Sequence, residues 1–200
     1  MTKLISTIFY RQVGLFFITM LGLYSCNINS NDNKNLTQNS DSTQTKPIGK
    51  VVGQIYFFAP ELDSATVKAT GGCDCCSSNL LFLNDSVFVA VDYCIGNDTY
   101  YKGTYKVHNN SISFRCDSLR VDREENWETE TDTTGKDLPP FFIKVRKDKN
   151  VEFTWTSFYF KNKLCFKTSF GDYSTPDNDE KKGFIATTKA DSIWTKLELE

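Results

Sequence analysis

"VFVAVDYCIGNDTYYKGTYKVHNNSISFRC", residues 87–116, decides the fold class. Val87, Val89, Val91 and Tyr93 fall on one face of an extended chain. Tyr101, Tyr105 and Val107 then face one way, with Lys102, Thr104 and Lys106 facing the other. Ile112, Phe114 and Cys116 alternate in the same manner with Ser111, Ser113 and Arg115. A repeat of two marks a half-buried strand, because successive side chains leave opposite faces of a pleated backbone; a helix would repeat at about 3.6. The runs are divided by "GND" at 96–98 and "HNN" at 108–110. Asn, Asp and Gly tolerate the left-handed backbone that tight hairpins require.

The same grammar continues on both sides. "NDS" at 84–86, "KDKN" at 147–150 and "KNK" at 161–163 are short polar turns. Between them, "FFIKVR" places Phe141, Ile143 and Val145 on one face, and "VEFTW" does the same with Val151, Phe153 and Trp155. The closing "SIWTKLELE" aligns Ile193, Leu197 and Leu199 and reads as a last strand that closes the sheet. No amphipathic helix stands out. Closely spaced strands joined by short turns predict an all-β domain over residues 51–200, an antiparallel meander closing into a small barrel or a sandwich. Two polar segments interrupt it. In "DREENWETETDTTGKDLPP" (122–140), Glu128, Glu130 and Asp132 would share one face of an extended strand; "GDYSTPDNDEKKG" (171–183) reads as a loop. Either is acidic enough to consider for Ca²⁺, but neither has the ligand spacing of an EF-hand, and acidic runs are usually solvated faces.

The first fifty residues belong to a different regime. "MTKLISTIFYRQ" carries Lys3 and Arg11 and no acid, and Val13–Leu23 is an almost unbroken apolar run. This is the pattern of an export signal, too short for a comfortable bilayer span; the alternative is an uncleaved membrane anchor. The run ends in "LYSC", which resembles a bacterial lipobox, with Leu23, Ser25 and Cys26 at the defining positions. That resemblance implies a signal peptide over 1–25 and acylation of Cys26 by several chains, palmitate among them, enough for stable anchoring. Residues 26–50 are mostly Asn, Ser, Thr, Gln, Asp and Lys and cannot bury enough apolar surface to offset their ordering entropy. They read as a lipidated tether of roughly 25–30 Å as a flexible coil. The expected location is a bacterial cell envelope, on the outer membrane, facing the periplasm or the surface.

The chemistry of the domain is narrow. The net charge of −2 comes from interspersed signs and leaves no nucleic-acid footprint. There is one histidine, His108, in a turn, and no glycine-rich phosphate loop, so an enzymatic role is not expected. Seven cysteines are the main signal. With Cys26 set aside as the lipid site, Cys73, Cys75, Cys76, Cys94, Cys116 and Cys165 remain, and an even count in an exported chain reads first as disulfides, with about 15 pairings open. Cys116 shares the apolar face of its strand, whereas Cys165 points with Lys163 and Lys167. Pairing those two would need a shift of phase, for instance through a bulge. The alternative for "GGCDCCSS" (71–78) is a thiolate site at Cys73, Cys75 and Cys76 for Cu(I) or Zn²⁺, or a redox sensor.

"CDCCSSNLLFLNDSVFVAVDY" followed by "YKGTYKVHNNSISF" resembles the N-terminal domain of the NlpE family of envelope lipoproteins and related lipocalin-like lipoproteins. Those chains place a cysteine pair before the first hairpin, then a G-T-W/Y strand, here Gly103, Thr104 and Tyr105. The resemblance spans residues 73–116, maps the cysteine pair onto Cys73 and Cys76, and implies a lipocalin-like barrel, an outer-membrane anchor and a link to copper or envelope-stress sensing. The expectation is a lipid-anchored envelope lipoprotein whose barrel is a binding or structural module for a small ligand, a metal or a protein partner. The alternative is a copper or redox sensor built on the CDCC cluster.

Overall fold

The computed structural model describes residues 47–71, 77–131 and 138–199. Cys26, the signal segment and almost all of the tether lie outside them, as do Cys73, Cys75 and Cys76. The domain's contacts reach back to Ile48, inside the segment read as tether. Ile48 donates its backbone N–H to the Asn109 carbonyl (3.2 Å) and packs on the interior cluster.

Eleven strands carry the fold: β1 (Ile55–Ala59), β2 (Glu61–Asp63), β3 (Lys68–Thr70), β4 (Ser77–Phe82), β5 (Val87–Tyr93), β6 (Asn97–Val107), β7 (Ser111–Glu125), β8 (Phe141–Lys147), β9 (Glu152–Phe160), β10 (Lys163–Thr168) and β11 (Tyr173–Pro176). Eight of them run antiparallel in the order β6-β5-β4-β1-β11-β10-β9-β7, and pairing of β7 with β6 closes the barrel. The all-β barrel expected from the alternation is therefore the fold. β8 adds to the far half of β7, and β2–β3 form a separate hairpin. The turns behave as their composition demands: Asn84 Oδ1 accepts from the backbone N–H of Ser86 and Val87, and Lys161 and Asn162 both adopt positive φ.

Inside, Tyr56, Phe82, Phe88, Tyr105, Phe114, Trp155 and Phe166 form one aromatic core. Trp155 is fully buried at its centre, with ring centroids 4.7 Å from Phe114, 5.4 Å from Phe166 and 6.2 Å from Phe82. Gly103 is a steric necessity here. A Cβ at this position would sit 2.2 Å from the Arg115 carbonyl oxygen and 2.7 Å from the Phe88 ring.

The C-terminal region departs from the expected strand. After a helical turn α1 (Glu128–Thr131), where an extended acidic face was expected, the chain ends in α2 (Lys181–Ala190) and α3 (Ile193–Lys196). Part of the expected 171–183 loop is instead β11 and the start of α2. Ile193 and Leu197 lie four residues apart, a spacing that suits one face of a strand and one face of a helix equally. They are fully buried, with Phe184 of α2, in a second cluster that includes Ile55, Leu81, Val89, Val91 and Tyr100 on the outer face of the barrel wall. That is why β4 and β5 are buried on both faces: Leu80 and Phe88 point inward, Leu81 and Val89 outward under the helices. An Arg123–Asp191 ion pair (2.6 Å) ties the end of α2 to β7.

Candidate binding cavity

Along β4, β5 and β7 the inward-facing residues change character towards the same end. On β5 the series runs Phe88, Ala90, Asp92; on β4, paired to it, Phe82, Leu80, Ser78. On β7 it runs Ile112, Phe114, Cys116 and then, past an irregularity, Arg120 and Asp122. Gly103 pairs with Cys116 and Tyr101 with Arg120, so Lys102 alone opposes Asp117, Ser118 and Leu119. The two extra residues of this bulge keep Arg120 in phase with the inward Cys116, set it beside Tyr101 and leave bent backbone for it to bind. Arg120 Nη1 donates to the carbonyls of Asp117 and, at 2.9 Å, Leu119, and its guanidinium lies 5.0 Å from the centroid of the Tyr101 ring.

At this end the interior opens into a cavity of about 540 Å³. Phe58, Phe153 and Trp155 form its apolar part, Asp92, Tyr101 and Arg120 its polar wall, and Val151 and Phe170 part of its rim. Phe170 is 73 % exposed. Asp92 Oδ1 accepts from Ser78 Oγ (2.7 Å) and Tyr101 Oη (3.1 Å). Asp92 keeps solvent access through the mouth, yet the crowding around its carboxylate raises its pKa; the two hydroxyls and Arg120 pull the other way without reversing it. Burial likewise pushes the Tyr101 phenol well above its ordinary range and the Cys116 thiol up to about 11.

The other arginine that lines the cavity, Arg146, is paired with two carboxylates. Its Nε donates to Asp122 (2.6 Å) and its Nη1 to Asp148 (2.9 Å), and Thr99 Oγ1 adds a bond to Asp122 (2.8 Å). Arg120 is not engaged in that way: it is 6 % exposed and forms no ion pair among the described residues. Three buried side-chain polar atoms have no hydrogen-bond partner among the described residues, and two of them, Trp155 Nε1 and Asn97 Oδ1, belong to residues that line this cavity.

Neither a protein-family model, nor a curated protein, nor a solved structure matches this chain. The site is therefore read from its geometry.

The cysteines divide. Cys94 and Cys116 both line the cavity. Cys116 and Cys165 are buried free thiols, so the disulfide framework does not extend to them. Cys116 sits on the inward face and Cys165 alternates with the inward Leu164 and Phe166, which keeps the two on opposite sides of the wall. The proposed metal ligands Cys73, Cys75 and Cys76 lie outside the described residues. Within those residues no group of three metal-ligating side chains gathers, and no helix is long and apolar enough to cross a membrane. His108 is exposed in its turn, away from the cavity lining. Asp92, Tyr101, Arg120 and Trp155 were not singled out as a site from sequence. A signal existed in the polar ends of the inward series, and Arg120 and Asp122 continue the phase of Ile112, Phe114 and Cys116. A second depression of about 600 Å³, lined by Thr104, Lys106, Arg115, Glu152 and Ser169 among others, is polar, and Arg115 and Glu152 face each other there at 3.9 Å.

Proposed function

We propose that the protein is a non-enzymatic, lipid-anchored binding module of a bacterial envelope, whose barrel takes a small, largely apolar molecule into its open end. The observation that carries this reading is the cavity itself: an aromatic base beside a wall of a few convergent polar groups, the usual make-up of a small-molecule site. The export signal, the lipobox at Cys26 and the polar tether support the anchored part. The experiment is titration of the full chain with N-phenylnaphthylamine, an uncharged fluorophore. Saturable binding at one site is expected, weakened by the rim plug Val151→Trp and the wall plug Cys116→Phe. Binding that ignores both plugs, or no binding, contradicts the reading. Palmitate labelling is expected to vanish in Cys26→Ala, and labelling that survives removes the anchor.

The same proposal includes a staple at the mouth, a disulfide between Cys94 and the CDCC segment. Cys94 is the described cysteine that is not a free thiol. The β4–β5 register ends at Ser77↔Tyr93, one residue short of Cys76 on one strand and of Cys94 on the other. Peptide mapping of the non-reduced chain tests it; recovery of Cys94 as an alkylated thiol ends it. A bridge at Cys94 leaves two thiols of the cluster for the sensing alternative, and anaerobic Cu(I) titration decides whether they bind.

A further inference from the structure

We infer that the molecule held in the cavity carries a single anionic oxygen headgroup, of carboxylate type, and that Arg120 reads it. The inference rests on the small-molecule reading above and specifies its ligand. Each of the other described arginines, Arg115, Arg123 and Arg146, has a carboxylate within 4 Å, although all three are more exposed than Arg120. The most buried guanidinium is the one with no carboxylate within 4 Å among the described residues, Asp92 acting on it only from further off. Isolating a cation from water without a partner is unfavourable, so such a residue is expected where a partner arrives from outside.

The free hydrogen-bonding capacity agrees in sign. Arg120 uses Nη1 for two backbone carbonyls, while Nε and Nη2 donate to nothing among the described residues. Trp155, which also lines the cavity, has in its buried Nε1 a second donor without an acceptor among the described residues. Asn97 Oδ1 is an orphan acceptor as placed, and a flip of its amide would present a donor instead. Two carboxylates line the cavity, but Asp92 is already held by Ser78 and Tyr101 and Asp148 by Arg146. Asp92 lies on the same wall as Arg120. It also limits the ligand's charge: a dianionic phosphate would meet it unfavourably, whereas one planar carboxylate matches the fork of a guanidinium. The apolar side chains Phe58, Phe153 and Trp155 then cover the body of the molecule.

The test compares three probes of one chain length, decanoate, 1-decanol and decylammonium, by displacement of N-phenylnaphthylamine from the full chain. Decanoate is expected to bind at least about tenfold more tightly than 1-decanol. Arg120→Met, which keeps the length and removes the charge, is expected to weaken decanoate by about 10- to 100-fold, the usual worth of a hydrogen bond to a charged group, and leave 1-decanol within about threefold. Arg120→Lys should fall between wild type and Arg120→Met for decanoate. If 1-decanol matches decanoate in the wild type, or decylammonium binds best, the headgroup inference is overturned while the small-molecule reading survives. If none of the three displaces bound N-phenylnaphthylamine, the headgroup inference falls while the small-molecule reading survives; if N-phenylnaphthylamine itself does not bind, both fall. The wild-type ratio decides even if Arg120→Met does not fold.

Discussion

Phe82 and Arg120 point into the same barrel, yet they live in opposite chemistry. Around Phe82 the interior is a continuous aromatic contact, with Tyr56, Tyr105, Phe114 and Trp155 within about 6 Å of it or of one another. Around Arg120 the inward positions are Asp92, Tyr101 and Asp122, and the space between them is open. The first region stabilises the fold by burying apolar surface. The second works against it, since a cation there is removed from water without an ion pair. A residue that does not help folding and still occupies an inward position is best explained by what the cavity does. The comparison assigns stability to one end of the interior and recognition to the other, and substitutions should separate the two.

The largest expected effect is at the packed end. Trp155→Ala should lose about 4 kcal/mol, the usual cost of removing a buried aromatic, and urea unfolding measures it. A loss below about 1 kcal/mol would mean the aromatic core is not the fold's support. Gly103→Ala follows at about 3 kcal/mol, at the upper end of overpacking because the obstacle is backbone. Next comes Leu197→Ala, at about 2 to 3 kcal/mol, because Leu197 closes the cluster between α3 and the outer wall. If α3 only decorated the surface, that change would be near neutral.

Moving to the open end, Arg120→Met is expected to leave stability unchanged or raise it by about 1 kcal/mol, since a buried cation without an ion pair is replaced by an apolar chain. A loss as large as that of Trp155→Ala would erase the contrast between the two ends. The smallest effect is a pH dependence. An acid whose pKa is raised on folding holds its proton more tightly in the folded state. Its contribution is therefore fullest below the ordinary carboxylate range and declines as pH climbs through the raised value. Burial raises Asp92, Asp98 and Asp177 in this way. Stability should thus fall gently with rising pH in the acid range from these groups, and Asp92→Asn should remove part of that slope. A slope that steepens in Asp92→Asn contradicts the assignment.

Much of this was legible in the sequence where one face of a strand is buried and the other is not. Residues 97–116 announce a hairpin because their alternation holds from Tyr101 onward and Asn marks the turn, whereas β5, buried on both faces, reads as a strand from its Val and Phe. The helices were not legible for a physical reason. Gly183, Thr187 and Thr188 are poor helix formers, and Ile193 and Leu197 satisfy either period. Only the outer cluster settles the choice. The run Asn79–Phe82, apolar on successive residues in Leu80, Leu81 and Phe82, carried the missing clue, since a strand buried on both faces needs a cover. The cavity was hidden for another reason. Alternation from Cys116 already carries Arg120 inward; what the sequence does not show is the pair of extra residues within Asp117–Leu119 that sets Arg120 beside Tyr101, with no carboxylate among the described residues within 4 Å of it. Cys116 could be placed on the inner face from alternation, but its being a free thiol rests on where Cys165 lies.

The central claim is that the open end, and not the surface, receives the ligand, and the indole N–H of Trp155 reports on it directly. In a ¹⁵N-labelled full chain, the three tryptophan indole signals, assigned with Trp155→Phe, would be followed during titration with decanoate. The account predicts a saturating shift of the Trp155 signal, as its unpartnered Nε1–H gains a neighbour, while Trp127 and Trp194 stay within the spread of a buffer control. Saturating shifts confined to Trp127 or Trp194, with Trp155 unmoved, would contradict it.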